Sequence, residues 1–217
     1  MTSTPRYQAV IFDMDGVLAD SEPVYFAAMQ HVLGPLGFEI TDEMQRQVMG
    51  SSIESTWRFL QRTFAIEGPL DALMHAYDLK LRDLLAEVSE PLPGVRDLTA
   101  DLKRRSVPLA VASSSLPAWI DALLSGLGMR GVFDATASAR EAGASKPAPD
   151  VYLLATARLR TDPSRCIAIE DTPTGVESAR AAGMFVVQTR SASSAFPPIE
   201  GAGLVIDSLL DFPPLFD

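Results

Sequence analysis

Scarcity marks this 217-residue sequence: it contains no asparagine, one cysteine, two histidines and three lysines. Without asparagine there is no N-glycosylation site. The single cysteine, Cys166, forbids an internal disulfide, which fits a reducing, cytoplasmic setting. Its place inside an apolar run marks it as a core side chain rather than a nucleophile. No apolar stretch reaches the ~18 residues of a membrane span, and residues 1–6 lack the apolar core of a secretory leader. Positive charge is also short. The formal net charge is −10 and the isoelectric point about 4.7, which argues against nucleic acid or an anionic membrane as partner. An anionic ligand would need locally placed cations, because the global field repels it. His31 and His75 sit in helical patterns with no ligand spacing around them and read as structural residues.

What is present is an alternation. Strand-like apolar runs cover 7–13, 108–113, 166–170, 185–189 and 204–206. Helical patterns at 116–127, 150–159 and 174–182 fall between the later ones, and such alternation predicts a parallel sheet. Residues 22–90 break it, with no strand-like run. There, 24–33 is amphipathic, Ser51-Ser52-Ile53-Glu54 has capping-box spacing, and Pro69 opens a long helical pattern reaching Val88. Pro91-Leu92-Pro93-Gly94 reads as a stiff return linker. Residues 211–217 read as an irregular tail packed on the core. The expected fold is α/β: a doubly wound parallel sheet with an inserted all-helical cap. The core is expected at 1–20 and 91–217 and the cap at 21–90, sizes usual for a domain and a smaller companion.

Three of the apolar runs end in polar groups. Val10-Ile11-Phe12 delivers Asp13 and Asp15 into a loop, and Gly16 permits a sharp turn there. If the extended geometry persists, both carboxylates lie on one side, where they repel unless a cation or a shared proton compensates. Leu109 to Ala112 ends in Ser113-Ser114-Ser115. Cys166 to Ile169 ends in Glu170-Asp171, with Thr172-Pro173-Thr174-Gly175 after it. Ser145-Lys146-Pro147 lies between. In open α/β sheets ligands bind at the carboxyl ends of strands, so these segments are expected to converge on one site for a divalent cation and a nucleophile.

With these residues in place the chain resembles the haloacid dehalogenase superfamily, in its branch of helical-cap phosphatases and β-phosphoglucomutase-like proteins. Four motifs occur in family order: Asp13-Met14-Asp15-Gly16-Val17, Ser113, Lys146, and Glu170-Asp171. The resemblance implies a phosphatase acting on a small phosphorylated metabolite, such as a sugar phosphate, through an aspartyl-phosphate. Asp13 would be the nucleophile and Asp15 the general acid and base. Ser113 would hydrogen-bond a phosphoryl oxygen, with Ser114 a further candidate, and Lys146 would neutralise charge and orient Asp13. Mg²⁺ would be held by Asp13, Asp15 through its main-chain carbonyl, and Asp171, with Glu170 holding a metal-bound water. The Gly50-Ser51 loop of the cap is a candidate substrate contact, as such loops are in the family. The protein is expected to be a monomer or weak dimer.

Other activities remain as alternatives. A sugar phosphomutase of the family would share the four motifs. It would add a histidine where Tyr25 stands, an arginine at Ile53 and a lysine at Leu116, so the departures favour hydrolysis. A dehalogenase would need neither Asp15 nor the Asp171 metal set. A non-enzymatic phospho-acceptor or binding protein is the alternative of another class, and a receiver-like domain would lack the helical insertion.

Overall fold

The computed structural model describes residues 7–48, 53–192 and 195–214. Residue contacts divide the chain into two compact units, 1–20 with 88–217, and 21–87.

The first unit is built on six parallel strands: β1 (Ala9–Phe12), β2 (Leu109–Ser113), β3 (Ala135–Ser138), β4 (Cys166–Glu170), β5 (Phe185–Thr189) and β6 (Leu204–Ile206). Their order across the sheet is β3-β2-β1-β4-β5-β6. The first strand in sequence is therefore central, with Ile11 opposite Ala110 on one side and Ala168 on the other. All four β1 residues are fully buried, as an apolar run without alternation requires when both faces of the sheet are covered. One face is alanine-rich. Ala9, Ala110, Ala112, Ala137 and Ala168 share a core cluster with Val151, Tyr152 and Ala155. Their small side chains let a helix approach closely enough to lay Tyr152 against the sheet.

The second unit is helical. It holds α1 (Glu22–Leu33), α2 (Asp42–Val48), α3 (Ile53–Thr63) and α4 (Leu70–Glu87). Leu33, Trp57, Leu60, Tyr77, Leu81 and Leu85 form its interior, with the Trp57 and Tyr77 rings edge-on at 5.4 Å. The Gln30 amide donates to Phe38 O (3.0 Å) and accepts from Ile40 N (3.0 Å), which pins the chain after α1. In the first unit, the remaining helices are α5 (Val95–Arg104), α6 (Pro117–Gly126), α7 (Ala139–Ala142), α8 (Asp150–Leu159) and α9 (Pro173–Ala181).

The α/β class, the parallel sheet and the absence of strands from 22–90 among the described residues agree with the sequence reading. Strand β3 and helices α2, α5 and α7 were not expected. Among the described residues no helix is long and apolar enough to cross a membrane.

Candidate active site

The carboxyl ends of β1, β2 and β4 bring the polar groups together. Asp13 follows β1 directly, and its N–H donates to Ile169 O at 2.9 Å, so pairing with β4 continues through it. The chain then bends at Met14, whose side chain is buried. Gly16 takes φ +76°, and a Cβ there would stand 1.9 Å from Asp171 Oδ2. Only glycine fits that conformation and that space. The strand therefore ends before Asp15, so the condition of persisting extended geometry is not met; the Asp15 carboxylate still adds to the charge that raises Asp13.

Lys146, in the loop before α8, is the hub. Its side chain is 6 % exposed, and Nζ donates to Asp13 Oδ1 at 2.5 Å, Glu170 Oε1 at 2.5 Å and Ala112 O at 3.2 Å. The Tyr152 hydroxyl donates to the same Glu170 Oε1 at 2.7 Å, and its ring centroid lies 5.0 Å from the ammonium. The other oxygen, Glu170 Oε2, accepts from Asp171 N at 3.0 Å, Thr172 N at 3.4 Å and Thr172 Oγ1 at 3.3 Å. A Cβ on Gly175 would lie 2.0 Å from this carboxylate, so the glycine of Thr-Pro-Thr-Gly makes room for Glu170.

Asp13, Glu170 and Asp171 are buried, and their ligand oxygens lie within 4.8 Å of one another. Three carboxylates thus meet one ammonium. Burial, and then the charges of Asp13 and Glu170, push the Asp171 carboxyl up to about 9. Burial also raises Asp13, to about 8, against the opposing pull of Lys146. Lys146 in turn is held well above the ordinary lysine value, because Asp13 and Glu170 outweigh its own burial. Asp171 Oδ1 is buried without a hydrogen-bond partner. An orphaned oxygen, a dense oxygen donor set and an excess of negative charge fit a hard divalent cation such as Mg²⁺. Glu170, with both oxygens already engaged, is suited to hold Lys146 and the Asp171 backbone rather than to ligate directly.

The remaining candidates are spread around this cluster. Asp15 is half-buried and lies outside the carboxylate cluster; its Oδ2 accepts from Ser115 Oγ at 3.1 Å. Ser113 is fully buried, and its Oγ accepts from Ser115 N at 3.0 Å. Ser114 is exposed. Gly50 and Ser51 lie outside the described residues. Tyr152 and Ser115 escaped the sequence reading. The first sits at helical core spacing, and the second is one of three identical residues of which only geometry distinguishes the members. His31 and His75 are exposed on α1 and α4 and belong to no cluster of potential metal ligands among the described residues.

Comparison with known proteins identifies relatives of the whole chain. Residues 10–189 match the family of haloacid dehalogenase-like hydrolases. The chain is 38 % identical to a fructose-1-phosphate phosphatase of Escherichia coli, over 85 % of this chain and 97 % of that one. It is 29 % identical to β-phosphoglucomutase of Bacillus subtilis, over 94 % and 91 %. A variant of CbbY from Rhodobacter sphaeroides, solved in complex with xylulose-(1,5)bisphosphate, superposes with a TM-score of 0.80 at 26 % identity, covering 94 % of this chain and 96 % of that one.

Proposed function

The chain belongs to the haloacid dehalogenase-like hydrolases, and on that premise we propose that it is a Mg²⁺-dependent phosphatase of a small phosphorylated sugar or sugar-like metabolite. The observation that carries this reading is Asp13 at the end of the central strand. Its carboxylate is tied by Oδ1 to Lys146, beside Asp171 with its orphaned buried oxygen. The sugar class is taken from the relatives, which include a fructose-1-phosphate phosphatase and a protein solved with a sugar bisphosphate.

In the proposed reaction the Asp13 carboxylate attacks phosphorus. The bond to the ester oxygen breaks as Asp15 gives that oxygen its proton, which leaves a free alcohol and a phosphoaspartate. Asp15, now a carboxylate, takes a proton from water. The water oxygen attacks phosphorus, phosphate departs, and the Asp13 carboxylate is restored. Lys146 fixes the plane of the nucleophile from Oδ1. Ser113, and the exposed Ser114 beside it, are assigned to hydrogen-bond phosphoryl oxygens. Mg²⁺, which would be held by Asp13, Asp171 and the Asp15 main-chain carbonyl, supplies neutralisation of the charge between phosphate and carboxylate. Catalysis is assigned to 1–20 with 91–217, and substrate selection to the cap at 21–90, including Gly50 and Ser51. We place the protein in the cytoplasm, as a monomer or weak dimer.

The test is a panel of phosphorylated metabolites assayed for released phosphate with and without Mg²⁺. Turnover of ketose or hexitol phosphates that vanishes on chelation is expected; no phosphate release from any member would overturn the reading. Supplied with β-glucose 1-phosphate and a trace of the bisphosphate, the protein is expected not to form glucose 6-phosphate quickly, because Tyr25, Ile53 and Leu116 stand where a mutase of the family carries polar or cationic groups. Fast isomerisation with little free phosphate would make it a mutase.

A further inference from the structure

Ser115 is held at three points. Its N–H donates to Ser113 Oγ at 3.0 Å. Its carbonyl accepts from Ser138 Oγ at 2.6 Å, and Ser138 is itself fully buried at the start of α7. Its own hydroxyl donates to Asp15 Oδ2 at 3.1 Å, across 100 residues of sequence. The residue is 7 % exposed. A serine pinned at both backbone groups has little freedom left, so its hydroxyl is presented to Asp15 from a fixed place. Asp15 needs such a reference. It sits beyond the bend at Met14, half-exposed, in a turn closed by Gly16 N–H to Ala19 O and Leu18 N–H to Met14 O. Asp13, nearer the strand, is fixed by the ladder and by Lys146.

We propose that Ser115 is a positioning residue for Asp15: its hydroxyl holds one carboxyl oxygen so that the other faces the ester oxygen and, later, the attacking water. The inference rests on the acid–base reading of Asp15. It separates the three serines by task, with Ser113 and Ser114 on the phosphoryl side and Ser115 on the proton-transfer side. A proton donor works only within hydrogen-bond reach of the atom it serves, and misplacement of a reacting group is costly. Losing the hydroxyl is therefore felt in turnover and not in binding.

The experiment is a double-mutant cycle on a sugar phosphate, for which fructose 1-phosphate is the probe, with Mg²⁺ saturating. Ser115→Ala is expected to lower kcat about ten-fold, part of the ~10²–10⁴ that a positioned acid–base group contributes, with KM unchanged. On the Asp15→Asn background the same change should alter the residual rate by less than about two-fold, because partners acting through one another are non-additive. Single-turnover release of p-nitrophenol from p-nitrophenyl phosphate should be nearly insensitive, since that leaving group needs no proton. Ser115→Cys, close in size but a weak donor, gives a second route should the alanine variant fold poorly, and should lose kcat in the same pattern. An inactive Asp15→Asn beside a fully active Ser115→Ala would overturn the role of Ser115 alone. So would a loss confined to KM, or an equal loss on the Asp15→Asn background. Full activity of Asp15→Asn would overturn the acid–base reading itself, and with it the positioning role.

Discussion

Glu170 shows how tightly single residues are constrained in this site. Five donors from Lys146, Tyr152, Asp171 and Thr172 converge on its two oxygens, and Gly175 leaves no room for a Cβ beside it. Gly175→Ala is therefore expected to destabilise the protein by about 1–3 kcal/mol through overpacking, read from the urea midpoint, and to lower activity because Glu170 carries Lys146 with it. An unchanged midpoint would mean that the carboxylate moves aside freely. Asp13→Asn keeps the shape but removes the attacking charge, so phosphate release should fall by about 10⁴-fold or more, as when a nucleophile is removed elsewhere. Full activity in that variant would remove Asp13 from the role. At this scale the sequence was informative where charge meets the end of an apolar run, as at Asp13 and at Glu170-Asp171. It was mute about Tyr152, because a tyrosine spaced three residues ahead of Ala155 on α8 looks the same whether its hydroxyl meets a carboxylate or solvent.

Among the elements, those with strong apolar periodicity were legible and those with mixed composition were not. Helix α8 begins and ends where its pattern does, at Asp150 and Leu159. Strand β3 reads Ala-Thr-Ala-Ser and has only one β-branched residue; it becomes a strand because it closes the edge of a sheet whose β2 it pairs from Ala110 to Ser113. Half of the residues of helix α5 are charged, and its buried stripe is Val95, Thr99 and Leu102. Thr99 fits that stripe because its hydroxyl is satisfied by Val95 O at 2.8 Å, a bond invisible from composition. Helix α9 is capped by Thr172, whose Oγ1 accepts from Gly175 N at 3.2 Å while donating to Glu170. Thr172→Ala should cost about 1 kcal/mol as a lost N-cap. Activity should fall further than that loss explains, since the same hydroxyl steadies Glu170. Equal urea midpoints for variant and wild type would count against the cap.

For the whole molecule, the buried carboxylates link metal, pH and stability. Asp171 has a folded value of about 9 against an ordinary 3.8. A carboxyl raised in this way binds more protons folded than unfolded, so its contribution is fully present below the ordinary value. It is lost as pH climbs through the folded one. Metal-free protein should accordingly melt at progressively lower temperature between about pH 5 and pH 9. Saturating Mg²⁺ should flatten that slope by binding the folded state. Asp171→Asn should flatten it without metal. A metal-free melting temperature that rises over this window would contradict the account. The parallel sheet and the helical insertion were legible in the apolar patterning, and a cation site was legible in carboxylates at strand ends; the depth of burial that raises Asp171 was not, because it depends on elements far apart in sequence.

The placement of β1 at the centre of the sheet also orders events in time. Ile11 meets Ala110 and Ala168, partners 99 and 157 residues further along the chain. Of the six strands β1 is made first, yet it is flanked on both sides only once β4 has been made, and such distant pairings form slowly. Until β4 arrives, Asp13 lacks both its backbone partner and the carboxylates that gather around it. A nascent or truncated chain ending before residue 166 therefore carries Asp13 without the strand that aligns it, and the cluster around that carboxylate is assembled only when β4 closes on β1.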